Sequence, residues 1–291
     1  MKRSGLVWLV ALLAAAPGRG QTPEQKKATL DYLIRLQTRE GGFRPDAAAK
    51  QPGLRATTAA LRAIKYFGGT TPNAGACARF VGSCFDCDTG GLTDRPGGEK
   101  PDVFSTAVGV MAVAELKMPA KKFAGPATEY LGKNARDFED VRIAAAGLEA
   151  IKTRPPQADE WLKKLAARRN KDGTYGAGDG KARDTGGAVV AVLRLGGKVE
   201  ARAAVLAALK AGQRADGGFG KVGAKGSDLE TTYRVLRAFH MLGDRPDAAK
   251  LRGFLAKCRN ADGGYGVAPG QKSSAGSTYF AGVILHWLGE K

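Results

Sequence analysis

Two groups of carboxylates are the side chains best suited to proton-transfer chemistry. One group contains Glu139 and Asp140, in an acidic run that begins at Asp137, and the other contains Asp228 and Glu230. Clustered carboxylates resist joint ionisation, so one member of a group can keep its proton at an unusually high pKa and donate it. The alternative is structural, with Asp140 as a helix N-cap and Glu139 in solvent. Glu139, Asp140, Asp228 and Glu230 are therefore the candidate catalytic residues.

A second set of side chains favours binding rather than catalysis. Cations near a helix N-terminus attract anionic ligands, and the hydroxyls of tyrosine, serine and threonine supply hydrogen bonds. Two stretches at the beginning of apolar helical runs combine both types of side chain. The candidate ligand-binding residues are Lys225, Thr232, Tyr233, Arg234, Ser277, Thr278 and Tyr279.

Three of the four cysteines, Cys77, Cys84 and Cys87, are close together in the sequence. A single Cys-x-x-Cys pair without a second one is weak evidence for a metal site. In an exported chain a disulfide among these three is expected, with reduced cysteines packed in the core as the alternative. Cys258 lies in the last part of the chain and is expected to be free. No metal site is predicted.

Residues 1–20 have the pattern of a secretory signal peptide. A basic start precedes an apolar run from Leu6 to Ala16, which is shorter than the roughly 20 residues needed to cross a bilayer. Small residues follow, and cleavage is expected near Gly20. A buried N-terminal helix is the alternative. We therefore predict an exported protein, periplasmic or extracellular, whose mature chain contains no membrane span.

The composition is that of a folded, basic protein. Hydrophobic residues make up 43% and charged residues 25% of the 291 residues, which excludes a disordered chain. The formal net charge is +18, and such an excess attracts anionic partners. The cations are distributed along the chain rather than concentrated in one basic run, and aromatic residues are not interleaved with them. A nucleic-acid partner is therefore not expected.

Glycine-rich turns recur through the chain and divide it into similar units. Each turn is followed, 10 to 14 residues later, by a threonine that opens an apolar run. Five units are clear, and a degenerate one lies near Asp137, so that six units of about 45 residues fill residues 22–291. The turns end at Phe43, Leu92, Tyr175, Phe219 and Tyr265, and the threonines are Thr57, Thr106, Thr185, Thr232 and Thr278.

Each unit is predicted to contain two helices separated by its glycine turn. The first helix is amphipathic, whereas the second is apolar around its whole circumference and must be covered on every side. Two concentric rings satisfy this requirement. We therefore predict one all-α domain over residues 22–291, an α6/α6 toroid with six helices in each ring, and an open solenoid is the alternative. The predicted N-caps of inner helices are Asp102, Asp140, Asp228 and Ser274.

The repeat resembles those of two known families. Gln37-x3-Gly41-x-Phe43, with a second copy that starts at Gln213, is similar to the Gln-x3-Gly-aromatic repeat of squalene and hopene cyclases. The Asp-Gly-Gly-aromatic turn and the Thr-Tyr helix start resemble those of protein prenyltransferase β subunits, particularly of type II geranylgeranyltransferase. The resemblance implies an α6/α6 toroid whose active site lies at the mouth formed by the N-termini of the inner helices.

The zinc ligands of the prenyltransferases are not retained. That family places zinc on Asp-x-Cys-Tyr and on the His of a later His-Thr pair. Here the segment from Glu230 to Tyr233 reads Glu-Thr-Thr-Tyr, and Ser277 precedes Thr278. Zinc needs about four good ligands, and the thiolate and the imidazole are missing. No cofactor is therefore expected, and zinc only if the chemistry of the family survives.

The motif with which the cyclases protonate an alkene is also only partly present. The acidic run that begins at Asp137 is similar to their Asp-x-Asp-Asp-Thr, but its middle acid is Glu139, and Val141 replaces the threonine. This departure weakens the expectation of cyclase chemistry without removing Glu139 and Asp140 as candidates.

The predicted function is ligand binding at the mouth of the inner helices, by a toroid without zinc-dependent transferase activity. The expected ligand is an isoprenoid, another lipid or an anionic small molecule. One alternative is an active enzyme, either of the prenyltransferase type or dependent on carboxylates as a cyclase or glycan-active enzyme. The other is a structural or interaction module. The sequence does not predict an oligomeric state.

Overall fold

A computed structural model describes residues 21–98 and 100–289, so the predicted signal peptide lies outside the described residues. The described chain forms twelve α-helices and one short 3-10 helix, with isolated bridges but no strand. No helix in this part of the chain is long and apolar enough to cross a membrane. The α-helices are α1 (Pro23–Ile34), α2 (Leu54–Tyr66), α3 (Ala74–Ser83), α4 (Val103–Glu115), α5 (Ala120–Asn134), α6 (Phe138–Ala150), α7 (Ala158–Ala167), α8 (Lys181–Arg194), α9 (Arg202–Ala211), α10 (Leu229–Met241), α11 (Ala248–Cys258) and α12 (Ala275–Trp287).

The even-numbered helices form a closed inner ring. Each packs against the next even-numbered helix, and α12 packs against α2. The odd-numbered helices lie outside them, as the amphipathic pattern predicts. The inner position explains why α4 is buried from Ser105 to Val113, on all of its faces. The predicted α6/α6 toroid is confirmed, and the open solenoid is excluded by the contact between the last and first inner helices.

Loops between neighbouring units close the ring through backbone hydrogen bonds. The first N–H of an inner helix has no partner within its own helix. The Leu54 N–H binds the carbonyl of Asp94 at 2.7 Å, and the Leu229 N–H binds that of Val267 at 2.8 Å. The N–H of Ala275, at the start of α12, binds the carbonyl of Pro45 at 2.8 Å. This last bond joins the sixth unit to the first.

The recurring threonines hold the glycine turns onto the inner helices. In each clear unit the backbone N–H of the residue that ends the turn donates to the threonine hydroxyl on the following inner helix. The distances are 2.8 Å for Phe43 to Thr57, 2.9 Å for Leu92 to Thr106, 2.9 Å for Tyr175 to Thr185, 3.0 Å for Phe219 to Thr232 and 3.1 Å for Tyr265 to Thr278. These hydrogen bonds explain the regular spacing of turn and threonine in the sequence.

The glycine of each turn is required where the turn contacts the next outer helix. Gly217 has a φ of +97°, and a Cβ there would lie 2.1 Å from the carbonyl oxygen of Lys250. Gly263 has a φ of +92° and would approach the carbonyl oxygen of Ala28 to 2.2 Å. Only glycine accepts both the left-handed backbone and the close approach.

Three of the four predicted N-caps are confirmed. Asp102, Asp228 and Ser274 each accept a hydrogen bond from the backbone N–H three residues later. The prediction for Asp140 is wrong, because α6 begins at Phe138 and its cap is Asp137, which accepts from the Asp140 N–H at 2.9 Å. The degenerate unit lacks the glycine turn that sets the helix start elsewhere.

The cysteines are free thiols in the structure. Cys77 and Cys84 are separated by seven residues along α3 and its C-cap, which corresponds to about 10.5 Å. A disulfide needs Cα atoms within about 7 Å, so these two cannot pair with each other. Burial raises the pKa of both thiols to about 12. A bond from one of them to the exposed Cys87 stays a prediction.

Candidate functional site

The inner ring encloses a cavity of about 780 Å³, here called the lumen. We call the end at which the inner helices begin the mouth. The lumen reaches from Phe104, in the first turn of α4, to Glu115 at the end of the same helix. At 1.5 Å per residue this depth is about 17 Å. Its volume lies within the range of small-molecule sites, roughly 300–1,000 Å³.

The upper wall of the lumen is largely apolar. Side chains of modest size on α2, α4 and α6 leave the space open, because alanine and valine occupy positions where larger residues would fill it. Phe104 and Phe280 add aromatic surface near the mouth, and Phe104 remains 42% exposed. The other apolar residues of this wall are Ala56, Ala59, Val108, Ile143 and Ala146.

An ion-pair network of arginines and glutamates lies beside the mouth. Arg234 donates two hydrogen bonds to the Glu139 carboxylate, at 2.7 and 3.0 Å, and Arg142 donates a third at 3.0 Å. Arg234 also lies 3.6 Å from Glu230, which Lys221 contacts at 3.2 Å. The Arg234 side chain is only 6% exposed. Glu139 and Glu230, two of the candidate catalytic acids, are therefore both paired with cations.

These arginines determine the protonation state of Glu139. Burial by itself raises the pKa of a carboxyl group. Here the hydrogen bond from Arg234 and the charges of Arg142 and Arg234 outweigh burial and lower the pKa of Glu139 to about 2. Glu139 therefore stays ionised at neutral pH and is not a proton donor in this arrangement. This finding removes the physical basis for alkene protonation by Glu139.

A tyrosine pair lies deeper in the lumen. The hydroxyls of Tyr233 and Tyr279 are 3.2 Å apart, and Arg237 donates to the Tyr233 hydroxyl at 3.2 Å. The Arg62 guanidinium stacks over the Tyr279 ring at 4.9 Å, and Arg237 stacks over the ring of Trp287 at 4.6 Å. Such cation–π contacts are favourable when desolvated. We call Arg62, Arg237, Tyr233 and Tyr279 the deep cluster.

The cations of the lumen make Tyr233 unusually acidic. Burial opposes ionisation of the phenol, but the charges of Arg237, Arg62 and Arg194 outweigh it, so the pKa of Tyr233 is well below its usual value of about 10. The pKa of Tyr279 is raised, by burial and by the neighbouring Tyr233. Of the two hydrogen-bonded phenols, Tyr233 is therefore the one that ionises first.

Two further ion pairs lie at the far end of the lumen. Lys65 contacts Glu115 at 2.6 Å, and Arg194 contacts Glu149 at 2.9 Å. The Arg194 side chain is only 7% exposed. Both cations are thus compensated by a carboxylate within the wall.

The predicted site residues divide into those that line the lumen and those that do not. Glu230, Tyr233, Arg234 and Tyr279 line it, and Glu139 binds Arg234 beside it. The other predicted residues are not part of the lining. Asp228 caps α10, and the Asp140 carboxylate accepts a hydrogen bond from the Arg136 N–H. The Ser277 N–H donates to the Ser274 hydroxyl, and the hydroxyls of Thr232 and Thr278 accept hydrogen bonds from the backbone of the glycine turns. Lys225 is exposed in a loop.

Sequence reasoning missed the arginines within the inner helices. Arg62, Arg142, Arg194 and Arg237 all stand in or at the end of runs that are otherwise rich in apolar residues. A cation in the middle of a helix that must be covered on all sides was the available signal, since burial of a charge requires a partner. In the sequence these arginines counted only as part of an excess of cations distributed along the chain.

Among residues 21–98 and 100–289, no group of three or more His, Cys, Asp or Glu side chains is arranged to hold a metal ion. The positions that correspond to the family's zinc ligands are engaged otherwise. The Thr232 hydroxyl accepts the Phe219 N–H, and the Ser277 hydroxyl accepts from Ser274 at 3.0 Å.

The family model described as prenyltransferase alpha-alpha toroid domain matches residues 3–71, 69–136 and 141–291. The chain belongs to this family. Among curated proteins, no sequence matches the chain.

Solved structures share the toroid at low sequence identity. Geranylgeranyltransferase-I of Candida albicans, complexed with GGPP, is 16% identical over 80% of this chain and 83% of that chain, with a TM-score of 0.64. A variant of the type II terpene cyclase MstE from Scytonema, in complex with geranylgeranyl dihydroxybenzoate, is 12% identical over 92% and 96%, with a TM-score of 0.63. A glycosidase variant in complex with glucose is 15% identical over 92% and 96%, with a TM-score of 0.60. At these identities the likeness shows the fold alone.

Proposed function

We propose that this protein is exported and that its lumen binds a ligand with an apolar part and a negatively charged group. The proposal includes the lack of zinc-dependent transferase activity. It narrows the prediction from sequence, in which an isoprenoid, a lipid and a small anion were separate options.

The observation that carries the proposal is that one cavity combines an apolar wall with an excess of positively charged side chains. The upper wall is apolar and the space is about 780 Å³, which suits an apolar chain. Six arginines or lysines and three glutamates line the lumen. Asp102 and Glu139 pair with Arg55 and Arg142 from outside the lining, and the cations still remain in excess. A low-dielectric cavity with this excess of cations concentrates anions. Two structural relatives are described with isoprenoid ligands, GGPP in one and a geranylgeranyl compound in the other, and this is consistent with an apolar chain here.

The donor set at the mouth supports the absence of zinc chemistry. Of the positions that resemble the family's ligands, only Glu230 presents a carboxylate, and it contacts Lys221 and Arg234. Thr232 and Ser277 are engaged in hydrogen bonds that hold the turn and the helix start. One engaged carboxylate does not meet the requirement of about four ligands.

The test uses protein isolated from its own host without denaturation. Mass spectrometry of the intact protein, followed by lipid analysis of an organic extract, is expected to show a stoichiometric acidic amphiphile. Metal analysis of the same sample is expected to show zinc well below one atom per chain, and N-terminal sequencing is expected to begin near residue 21. An empty lumen that also takes up no added farnesyl phosphate or farnesol would overturn the binding proposal. Stoichiometric zinc would overturn the statement about transferase chemistry.

A further inference from the structure

The charged groups of the lumen wall differ in whether the protein itself neutralises them. Beside the mouth, Arg142 and Arg234 share the carboxylate of Glu139, and Arg234 also lies 3.6 Å from Glu230. Arg55, at the same level, pairs with Asp102 at 2.7 Å. At the far end, Lys65 pairs with Glu115 and Arg194 pairs with Glu149. A buried cation that has a hydrogen-bonded carboxylate is largely satisfied. These two levels therefore offer little net attraction to the charge of a ligand.

The two arginines of the deep cluster form no such pair. Within residues 21–98 and 100–289, neither Arg62 nor Arg237 makes an ion pair with a carboxylate. Arg62 instead stacks on Tyr279 and donates to the Met111 sulfur at 3.4 Å. Arg237 stacks on Trp287, and its Nε is buried without a hydrogen-bond partner. The acidic groups that act most strongly on these two arginines are the phenols of Tyr233 and Tyr279.

Two cations without a counter-ion in a wall of low dielectric are costly unless an anion joins them. The lumen gives a ligand access to this place, because Arg62, Tyr233 and Tyr279 all line it. The guanidinium of Arg62 and one phenol hydroxyl can donate to the oxygens of one carboxylate or phosphate, since the other hydroxyl proton lies in the hydrogen bond between Tyr233 and Tyr279. The low pKa of Tyr233 shows the same attraction for negative charge, and Tyr233 keeps its proton when the anion of a ligand lies beside it, because like charges resist joint ionisation.

The depth of the cluster determines the orientation of the ligand. Arg62 lies a little over two turns after the start of α2, about 12 Å from the mouth. The wall between the cluster and the mouth is the apolar part of the lumen, with Ala59, Val108 and Ile143. An apolar chain therefore fits above the cluster and not below it, where the two compensated ion pairs lie.

Building on the proposed function, we infer that the deep cluster is the anion-binding subsite of the lumen. The carboxylate or phosphate of the ligand binds Arg62 and one hydroxyl of the hydrogen-bonded tyrosine pair, with Arg237 behind Tyr233. The apolar chain extends from this subsite towards the mouth.

The test compares three probes with one chain length and different head groups, namely dodecanoate, dodecyl phosphate and dodecanol. Binding to the purified protein is measured by calorimetry at neutral pH. At least one of the two acids is expected to bind roughly tenfold or more tightly than the alcohol, because charge-assisted hydrogen bonds exceed neutral ones by that order. The acid that binds more tightly identifies the head group as carboxylate or phosphate.

Variants then locate the head group. Arg62→Gln is expected to weaken binding of the acid by about 10- to 100-fold and to leave dodecanol binding nearly unchanged. Arg237→Gln is expected to act in the same direction with a smaller effect. Arg62→Lys keeps the charge and is expected to recover part of the loss. Two variants serve as controls. Arg142→Gln removes a cation beside the mouth, and Lys121→Gln removes an exposed cation on α5 and shows the effect of net charge alone.

The outcomes separate the two proposals. If neither the acids nor dodecanol bind, the proposed function fails. The inference fails, while the proposed function stands, if the probes bind but Arg62→Gln and Arg237→Gln retain the preference for the acid. It also fails if Arg142→Gln weakens binding of the acid more than Arg62→Gln does. In both cases the head group lies elsewhere. Circular dichroism and the melting temperature of each variant show whether it is folded, and Arg62→Lys provides the comparison if Arg62→Gln is not.

Discussion

The Arg234 guanidinium on α10 binds both carboxylate oxygens of Glu139 on α6, at 2.7 and 3.0 Å, across the mouth of the lumen. The contact connects residues 95 positions apart in the sequence. Arg234 is almost completely buried, whereas the Glu139 side chain is 46% exposed. Glu139 therefore serves Arg234 as a counter-ion, and the acid that the sequence suggested as a proton donor has a different role.

The first prediction concerns this ion pair. Glu139→Gln is expected to lower the free energy of unfolding at pH 7 by about 1–3 kcal/mol, because it leaves the buried Arg142 without a carboxylate and Arg234 with only the more distant Glu230. The value lies below that of a fully buried pair because Glu139 is partly in solvent. Glu129→Gln, in the exposed pair with Lys133, is the matched control and is expected to cost less than about 0.5 kcal/mol. Urea denaturation measures both, and equal effects would contradict the role assigned to Glu139.

The pH dependence of that stabilisation follows from the lowered pKa of Glu139. An acid whose pKa is lower in the folded protein stabilises the fold fully above its unfolded pKa of about 4.3. The contribution is lost as the pH falls towards about 2, the pKa of Glu139 in the fold. The difference in unfolding free energy between wild type and Glu139→Gln is therefore expected to shrink over this interval. A difference that stays constant from pH 5 to pH 2 would show that the fold does not lower the pKa of Glu139.

The second prediction concerns Tyr233. One of the seven tyrosines is expected to form a phenolate well below the usual pKa of about 10, as measured by ultraviolet absorbance during a pH titration. Tyr233→Phe is expected to abolish this early step, and Arg237→Gln is expected to move it to higher pH because a neighbouring cation is lost. Tyr130→Phe is the control, since burial raises the pKa of Tyr130. An early step that survives in Tyr233→Phe would contradict the assignment.

The third prediction compares two glycines. Gly217→Ala introduces a Cβ at a φ of +97° and 2.1 Å from the Lys250 carbonyl oxygen, so it is expected to cost about 3 kcal/mol or more. Gly253→Ala, within α11, meets no atom within 4 Å and is expected to stabilise the protein by about 0.4–1 kcal/mol. Melting temperatures of the two variants check the contrast, and a tolerated alanine at position 217 would rule out the tight turn.

The fourth prediction tests the threonine bonds that hold the turns. Thr57→Val keeps the shape of the side chain but leaves the buried Phe43 N–H without its acceptor, and it is expected to cost about 1–3 kcal/mol. Thr70→Val, at an exposed position, is expected to change stability by less than about 0.5 kcal/mol. Chemical denaturation distinguishes them. If Thr57→Val were as stable as the control, the regular spacing of turn and threonine would need another explanation.

The repeat in the sequence predicts most of the fold, for a physical reason. The glycines at 217 and 263 accept a conformation that other residues resist, and Thr232 and Thr278 follow the ends of their turns by 13 residues, which returns the chain to an inner helix. These constraints are local, so they are visible along the sequence. The start of α6 was misplaced because the third unit lacks its turn, and Asp140 was therefore taken as the cap in place of Asp137.

The contacts within the site join residues that are far apart in the sequence, so no local pattern predicts them. The sequence determined that α10 begins with an acid and a tyrosine and that Arg62 and Arg237 stand in otherwise apolar helices. Only the closed ring decided that Glu139 neutralises Arg234, that Tyr233 meets Tyr279, and that no carboxylate within the described ranges reaches the two arginines of the deep cluster. Helix periodicity is a property of neighbouring residues, whereas charge compensation depends on which helices face each other across the lumen.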